Sequence, residues 1–298
     1  LESYGVDTVF GIPGVHTLDL YRGLEKSRIK VVTTRHEQGA GFMAEGYARV
    51  SGRPGVCFVI TGAGLTNIAT PMGQAYADSV PMLVIASVNE TEHLGRGRGR
   101  LHEISDQLAV AEPLSSFSAT AHQVDDVPEL VQRAYATFES ERPRPAYIEV
   151  PIDILGAPAS FGARNRRAVS RAAPDPGAVA EAAEMLAAAK RPVIVAGGGA
   201  QDQGALLTEL AELTGSAVVL TTACKGAVPD DHPLCVGATI ALPDTLALLT
   251  GADLVLAVGT ELAETDAWVD RLELGGRLIR IDIDPRMLYG DYQADVAL

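Results

Sequence analysis

Three short segments in the first 70 residues combine side chains and glycines that could do chemistry. The first is a Pro13-Gly14 turn, the second is Glu37, and the third is a Thr-Gly-x-Gly segment at Thr61–Asn67. Each follows an apolar run that is typical of a buried strand. A carboxyl group can hold or accept a proton, and glycine lets backbone approach a ligand closely. We therefore expect a site that places an acid beside tightly turned backbone.

Glu37 stands where a strand-like run, Ile29–Thr34, gives way to a helical pattern. A glutamate in the first turn favours the helix dipole, and that role alone would explain an isolated one. The neighbouring Gly39 and Gly41 each weaken a helix by roughly 1 kcal/mol relative to alanine. Because helix propensity does not explain them, we expect close approach of another backbone or of a ligand.

The Thr61–Asn67 segment follows a third strand-like run and opens a helix. Thr61 and Asn67 offer side-chain hydrogen bonds, and the N–H groups of Gly62 and Gly64 could cradle an anion or a ring. The glycine spacing differs from G-x-G-x-x-G, and no acidic residue ends the next strand. A Rossmann-type NAD site is therefore not predicted.

Alternating strand and helix patterns must position these three segments. One alternation fills residues 5–153 and a second follows from 178 to 282. The strands are apolar throughout, as a parallel sheet covered on both faces requires. Ligands of such sheets bind beyond the carboxyl ends of the strands, which is where the three segments fall. The predicted fold class is α/β, with two doubly wound, mainly parallel-sheet domains.

The periodicity stops between the two alternations, where prolines and arginines accumulate. We predict a first domain at 1–155, a linker at 156–176 and a smaller, Rossmann-like domain at 177–298. The linker arginines, Arg164, Arg166, Arg167 and Arg171, could bind an anion, but a solvated linker that docks on an acidic protein explains them better.

Composition excludes several classes of function. The 298 residues carry a net charge of −14, which argues against nucleic acid as a partner because phosphate binding needs a basic face. The apolar runs are too short to span a membrane. Cys57, Cys224 and Cys235 show no metal-ligand spacing, so no metal site is predicted in this chain. These features predict a soluble, cytoplasmic protein.

Together the motifs resemble the thiamine diphosphate enzymes of the acetolactate synthase and 2-oxo acid decarboxylase family. The resemblance runs over nearly the whole chain, in order and at matching spacing. The segments that carry it are Gly11–Gly14, Arg35–Ala40, Glu45–Arg49, Thr61–Asn67, Asp78–Pro81, Gly197–Gly199, Lys225–Ala227, Asp231–Pro233 and Ile281–Pro285.

The resemblance implies that the first domain holds the aminopyrimidine ring of thiamine diphosphate. Glu37 would be the catalytic acid that hydrogen-bonds the ring nitrogen. The residues implied to bind the cofactor beside Glu37 are Pro13, Gly14, Thr61, Gly64 and Asn67.

Family members also have a third domain, which binds the diphosphate through Mg²⁺ and starts with Gly-Asp-Gly. This sequence contains no Gly-Asp-Gly, so the resemblance implies that the Mg²⁺ ligands lie outside residues 1–298. We expect residues 1–298 to fold but not to catalyse alone. Because the family's cofactor lies between the first domain of one subunit and the third domain of another, a homodimer or homotetramer is predicted.

Two departures from the acetolactate synthase pattern refine the prediction. His102 replaces the glutamine of a Phe-Gln-Glu sequence, and Leu101–Glu103 resembles decarboxylases that act on 2-oxo-5-guanidinopentanoate. His102 is a second catalytic candidate as a proton donor or acceptor, although a structural hydrogen bond in a loop explains it equally well. Glu103 and Asp106 could meet a cationic substrate, or they could simply be solvated.

The second departure concerns FAD. Gly237–Ile240 differs from the Gly-Met-x-Gly segment of FAD-binding central domains, and Gly259–Leu262 lacks the arginine of their Gly-Ala-Arg-Phe segment, so tightly bound FAD is not predicted. The predicted function is thiamine diphosphate-dependent decarboxylation of a small 2-oxo acid, with carboligation as a further possibility. The alternatives are an acetolactate synthase catalytic subunit and, in another class, a non-catalytic nucleotide-binding or assembly module.

Overall fold

The structure is a computed structural model that describes residues 1–159, 166 and 168–298. These residues form two compact units, 1–171 and 172–298, and the boundary falls within the stretch predicted as a linker. Arg164 and Arg167 of that stretch lie outside the described residues. Arg166 forms an ion pair with Glu139, which agrees with docking on an acidic side chain.

The first unit is a parallel sheet with helices on both faces. Its strands are β1 (Thr8–Gly11), β2 (Lys30–Thr33), β3 (Gly55–Val59), β4 (Met82–Val88), β5 (Phe117–Thr120) and β6 (Ala146–Pro151). Its helices are α1 (Leu18–Leu24), α2 (Glu37–Ser51), α3 (Ala63–Ala77), α4 (Gln107–Ala111), α5 (Asp126–Ser140) and α6 (Ile152–Leu155). The strand order is β2-β1-β3-β4-β6-β5.

Consecutive residues of the central strands enter two different cores. Cys57 and Val59 on β3 pack with α2 and α3, whereas Val56 and Phe58 pack on the opposite face with α5. Because helices cover both faces, the residues of β3 and β4 are buried throughout, and this explains their continuous apolar runs. The predicted α/β class with parallel sheets is confirmed.

Helices α2 and α3 approach each other closely at one glycine. A Cβ atom on Gly41 would lie 2.3 Å from Cγ of Pro71, so no larger residue fits without displacement. Gly39 has no described atom within 4 Å of the equivalent position. The close approach expected at both glycines is therefore found within the described structure at Gly41 alone.

The second unit repeats the architecture with different strands. These are β7 (Pro192–Ala196), β8 (Ala217–Leu220), β9 (Cys235–Gly237), β10 (Leu254–Val258), β11 (Arg277–Ile281) and β12 (Val296–Ala297), in the order β12-β11-β10-β7-β8-β9. Its helices are α7 (Pro176–Ala188), α8 (Gly204–Thr214), α9 (Pro243–Gly251), α10 (Glu264–Ala267) and α11 (Pro285–Leu288). In the part of the chain that the structure describes, no helix is long and apolar enough to cross a membrane.

The three glycines that follow β7 pack against backbone. A Cβ atom on Gly197 would lie 2.4 Å from the carbonyl oxygen of Gly259, and the Gly199 N–H donates to that same carbonyl at 3.0 Å. Gly259 itself has φ +57°, which favours glycine. The Gly197–Gly199 segment, which follows β7, thus packs against the residue that follows β10.

Candidate functional site

Glu37 is the first residue of α2 and follows β2 after three connecting residues. Its side chain is buried, with the residue only 9% exposed, and Asn67 Nδ2 of α3 donates a hydrogen bond of 2.9 Å to its Oε2. The positive end of α2 stabilises a carboxylate at this position. Among the described residues, no donor lies within hydrogen-bond distance of Oε1. The structure therefore holds one carboxylate oxygen in place and leaves the other open to a partner.

The Pro13-Gly14 turn follows β1, the strand between β2 and β3. Gly11 must be a glycine here, because a Cβ atom would lie 2.3 Å from the carbonyl oxygen of Phe58 on β3. The Gly14 N–H donates to Thr17 Oγ1 at 2.9 Å, which closes the turn. The turn consequently lies between Glu37 and Thr61 along the carboxyl edge of the sheet.

Thr61 links this turn to the next strand through His16, which the sequence analysis did not select. His16 Nδ1 and Thr61 Oγ1 are 2.8 Å apart. The Thr61 N–H donates to Ser87 Oγ on β4 at 3.1 Å. Burial, followed by the charge of the nearby His102, lowers the pKa of His16, so its imidazole is neutral at pH 7.

His102 lies above the Thr-Gly-x-Gly segment on an exposed loop. Its ring centroid is 6.1 Å from that of His16, with the two rings nearly perpendicular. Its backbone has φ +58°, and its carbonyl oxygen lies 2.0 Å from where a Cβ of Gly62 would stand. A glycine is needed at position 62 because the backbone of the His102 loop occupies the space that a side chain would fill.

The glycine N–H groups of this segment are less available than the sequence suggests. The Gly62 N–H donates to Gln107 Oε1 at 2.6 Å, so it is already satisfied inside the protein. Gly64 is buried, and a Cβ there would lie 3.0 Å from Cγ2 of Ile60. The structure therefore places Gly64 against the end of β3, where it permits close packing of α3.

A cavity of about 320 Å³ opens beside Thr61, at the carboxyl ends of β4, β6 and β5. Glu149 lines it and is only 4% exposed. Thr120 Oγ1 donates to Glu149 Oε1 at 2.7 Å, and the Tyr147 hydroxyl donates to Oε2 at 3.1 Å. Gln107 Nε2 in turn donates to the Tyr147 hydroxyl at 2.7 Å. Burial raises the pKa of the Glu149 carboxyl group above its usual value.

Family models of one class of enzyme match parts of both units. The model for the thiamine pyrophosphate enzyme N-terminal TPP binding domain matches residues 1–110. The model for the thiamine pyrophosphate enzyme central domain matches residues 179–298. The chain belongs to the thiamine pyrophosphate enzymes. Thiamine pyrophosphate is another name for thiamine diphosphate, so the family predicted from the motifs is confirmed.

Several curated relatives of this thiamine pyrophosphate enzyme are similar along the whole chain. The protein named probable 2-ketoarginine decarboxylase AruI, from Pseudomonas aeruginosa, is 56% identical over 300 residues, which are 100% of this chain and 54% of that protein. An acetolactate synthase from Mycobacterium bovis is 35% identical over 316 residues, which are 100% of this chain and 49% of that protein. The chain spans about half the length of these relatives.

A solved structure supports the same family. It is the X-ray structure of a protein from Mycobacterium smegmatis that is named a putative thiamin diphosphate-dependent enzyme. Its TM-score to this chain is 0.84 at 26% identity, and the match covers 100% of this chain and 58% of that one. The fold of both units is thus the fold of a thiamine pyrophosphate enzyme.

The residues around Glu37 fit the ring of the family's cofactor. A carboxyl oxygen to which no described residue donates a hydrogen bond suits a ring nitrogen that shares a proton, and Asn67 fixes the orientation of the carboxyl group. For the metal, no group of three His, Cys, Asp or Glu side chains in the described ranges could hold an ion. The assignment of Pro13, Gly14 and Thr61 to the cofactor stays a prediction.

Proposed function

We propose that this chain is the N-terminal and central part of a thiamine diphosphate-dependent decarboxylase of a 2-oxo acid. The observation that carries the proposal is the buried Glu37 carboxyl group, fixed by Asn67 at the carboxyl edge of the sheet. When bound, thiamine diphosphate supplies the nucleophilic carbon and the electron sink that decarboxylation needs. A non-catalytic assembly module would have no use for a buried acid at this place.

Glu37 acts as an acid-base group in this proposal. Its Oε1 oxygen would hold a proton for the ring nitrogen of the cofactor, while Asn67 keeps Oε2 in a fixed position. The Pro13-Gly14 turn lies between Glu37 and Thr61 at the same sheet edge, and the turn and Thr61 would line the ring. Because the carboxyl group is fixed, its proton is held at one oxygen. A positioned acid-base group typically raises a reaction rate by 10²–10⁴-fold.

His102 supplies a second acid-base group beside the ring, and His16 lies next to it. His16 is held by Thr61 and is neutral at pH 7, whereas His102 is exposed on its loop. We assign to His102 the exchange of a proton with the reacting substrate. His16 orients this edge of the site through the hydrogen bond to Thr61.

The substrate we propose is a 2-oxo acid with a cationic side chain, 2-oxo-5-guanidinopentanoate. Support comes from the 56% identical relative named for 2-ketoarginine, which is the same compound. Further support comes from three carboxylates, Glu103, Asp106 and Glu149, which line the cavity beside Thr61.

The test is an assay of the full-length protein with thiamine diphosphate and Mg²⁺. We expect carbon dioxide release from 2-oxo-5-guanidinopentanoate, and much less from pyruvate or benzoylformate. The 35% identical relatives named acetolactate synthase make that activity the second candidate. Acetolactate formation from pyruvate as the fastest reaction would favour it and overturn the proposed substrate.

Three further features belong to the same proposal. Mg²⁺ ligands are expected beyond residues 1–298, FAD is not expected to bind tightly, and the full-length protein is expected to be a homodimer or homotetramer. Exposed apolar side chains beside Glu37, such as Phe42 and Met43, suit a subunit contact. A flavin spectrum at one equivalent per chain, or a monomer in sedimentation, would contradict the corresponding expectation.

A further inference from the structure

Glu149 is a buried carboxyl group that no cation of the described residues neutralises. Its residue is 4% exposed, and its hydrogen-bond partners are the neutral hydroxyl groups of Thr120 and Tyr147. A buried carboxylate without a counter-charge is costly, and proteins ordinarily pair such groups. Two hydrogen bonds leave acceptor positions on the two oxygens, because an ionised carboxylate offers about four lone-pair sites.

A second observation at the same cavity is independent of the carboxylates. His93 lines the cavity, is 4% exposed, and its Nδ1 has no hydrogen-bond partner among the described residues. Its other ring nitrogen, Nε2, lies close to Arg100 and 3.1 Å from Glu92 Oε1. A buried ring nitrogen without a partner costs free energy unless a ligand satisfies it. The cavity therefore contains two unmet requirements, one for positive charge and one for a hydrogen-bond partner.

We propose that this cavity binds the guanidinium end of the substrate and that Glu149 selects it. A guanidinium group carries a fixed positive charge and five N–H donors in one plane. Two of these donors suit the carboxylate of Glu149. Arg100 donates to His93 Nε2, so His93 Nδ1 carries the ring proton and needs an acceptor, which an oxygen of the substrate can provide and the guanidinium group cannot. Thr61 lines the cavity and also bonds His16, so the cavity is continuous with the edge assigned to the cofactor. The inference rests on the proposed function and names the residue that sets its substrate.

The other two carboxylates are less suited to this task. Glu103 accepts backbone N–H bonds from Arg98 and Arg100, and these hydrogen bonds lower its pKa. Asp106 accepts the Ala109 N–H at 2.9 Å and caps α4. Glu103 and Asp106 also lie nearer to solvent, which screens their charges. We therefore assign to Glu149 the discrimination between charged and neutral substrates. Glu103 and Asp106 contribute only a general electrostatic attraction of the cation.

The test compares two substrates in the full-length enzyme and in the Glu149→Gln variant. The substrates are 2-oxo-5-guanidinopentanoate and its neutral isostere 2-oxo-5-ureidopentanoate. In the wild type we expect kcat/KM to favour the guanidinium substrate by about 100-fold, the effect of one buried charge pair. In Glu149→Gln the preference should nearly vanish, mainly through a higher KM for the guanidinium substrate. Glu129→Gln, an exposed glutamate of α5, is the matched control and should keep the full preference.

A binding measurement separates this inference from the proposed reaction. The probe is 5-guanidinopentanoate, which lacks the 2-oxo group and cannot be decarboxylated, titrated by calorimetry into both proteins. We expect binding to the wild type that weakens about 100-fold in Glu149→Gln. Such binding without decarboxylation of any 2-oxo acid would overturn the proposed function and support the cavity assignment. Equal binding to both proteins, or a wild type without preference between the two substrates, would overturn the cavity assignment and leave decarboxylation intact.

Discussion

At the scale of single residues, two buried glutamates on one sheet edge have different surroundings. Glu37 lies at the amino end of a helix and receives an amide hydrogen bond from Asn67. Glu149 lies near the end of a strand, receives hydrogen bonds from neutral groups, and has a raised pKa because of burial. The same side chain is therefore suited to proton exchange at one position and to recognition of positive charge at the other.

We predict that Glu37→Gln lowers kcat of the full-length enzyme by roughly 10²–10⁴, since it removes a positioned acid-base group. The amide keeps the size of the side chain, so the thermal midpoint should change by no more than about 2 °C. Steady-state decarboxylation and circular dichroism together measure both quantities. Wild-type turnover in this variant would show that another residue activates the cofactor.

Glu149 also gives a prediction about stability and pH. Its pKa in the folded protein lies above the usual 4.5, so its contribution to stability is complete below pH 4.5 and is lost as the pH rises through the folded value. Nearby Asp106 raises the pKa in the same direction. Tyr147 donates to the carboxylate, and His93 lines the same cavity.

We therefore expect Glu149→Gln, which has no charge at any pH, to unfold at a higher temperature than the wild type at pH 7.5. The gain should be about 2–4 °C, equivalent to about 1 kcal/mol in a unit of this size. It should shrink as the pH falls towards 4.5, which calorimetric scans between pH 4.5 and 8 can follow. A gain that does not depend on pH would mean that the stabilisation has another origin.

The sequence could predict Glu37 because it occurs within a recognisable motif, but it could not predict His16 or Glu149. His16 acquires its role from Thr61, 45 residues away in the chain, through a contact that only the folded sheet creates. Glu149 was a charged residue at the end of an otherwise apolar strand, and that mismatch was the available signal. A rule that examines every charged residue in an apolar run would have selected it.

At the scale of elements, α2 shows that glycines in one helix can have opposite effects. Gly41 lies in contact with Pro71 and Ile68 of α3, whereas Gly46, five residues later, has no described atom within 4 Å of a Cβ position. The first glycine allows the two helices to approach each other. The second only weakens the helix, because glycine is a poor helix former.

We predict that Gly41→Ala destabilises the protein by about 1–3 kcal/mol, since the added methyl group forces α2 and α3 apart. Gly46→Ala in the same helix is the matched control and should stabilise by up to about 1 kcal/mol. Urea unfolding followed by circular dichroism measures both changes. Similar changes in the two variants would show that helix propensity, rather than packing, governs Gly41.

Long apolar patterns could be predicted at the element scale, and short ones could not. The apolar patterns predict strands at Met82–Val88 and Leu254–Val258 and a helix at Gly204–Thr214, and β4, β10 and α8 have these bounds. Strands β9 and β12 have three and two residues, too few to show a period. Their pairing with β8 and β11 depends on the neighbouring strand rather than on their own sequence.

At the scale of the whole molecule, each unit contains its own two apolar cores, one on each face of its sheet. We predict that residues 172–298 fold when expressed alone, with a single cooperative urea transition and a slope of about 1–3 kcal/mol/M. Circular dichroism and tryptophan fluorescence of Trp268 should give the same midpoint.

The control for that prediction is a shorter chain that ends at residue 290. It loses the buried Val296 of β12 and Asp295, whose carboxylate accepts the Leu278 N–H at 2.7 Å. We expect this shorter chain to unfold at lower urea concentration or to lack a cooperative transition. Cooperative unfolding of the shorter chain at an unchanged midpoint would mean that β12 is dispensable.

The parallel order of the second sheet also has a consequence for synthesis on the ribosome. During synthesis β8 can pair with one edge of β7 soon after β7 is made. The other edge of β7 has no partner until β10 is made, and in the folded sheet Pro192 of β7 pairs there with Leu254 of β10. At a translation rate of about 5–20 residues per second, β10 follows roughly 3–12 seconds later. During that interval an apolar strand with unpaired backbone is exposed to chaperones and to other nascent chains. Aggregation of this protein is therefore most favoured while it is being made, and slower growth at low temperature should reduce it by weakening hydrophobic association.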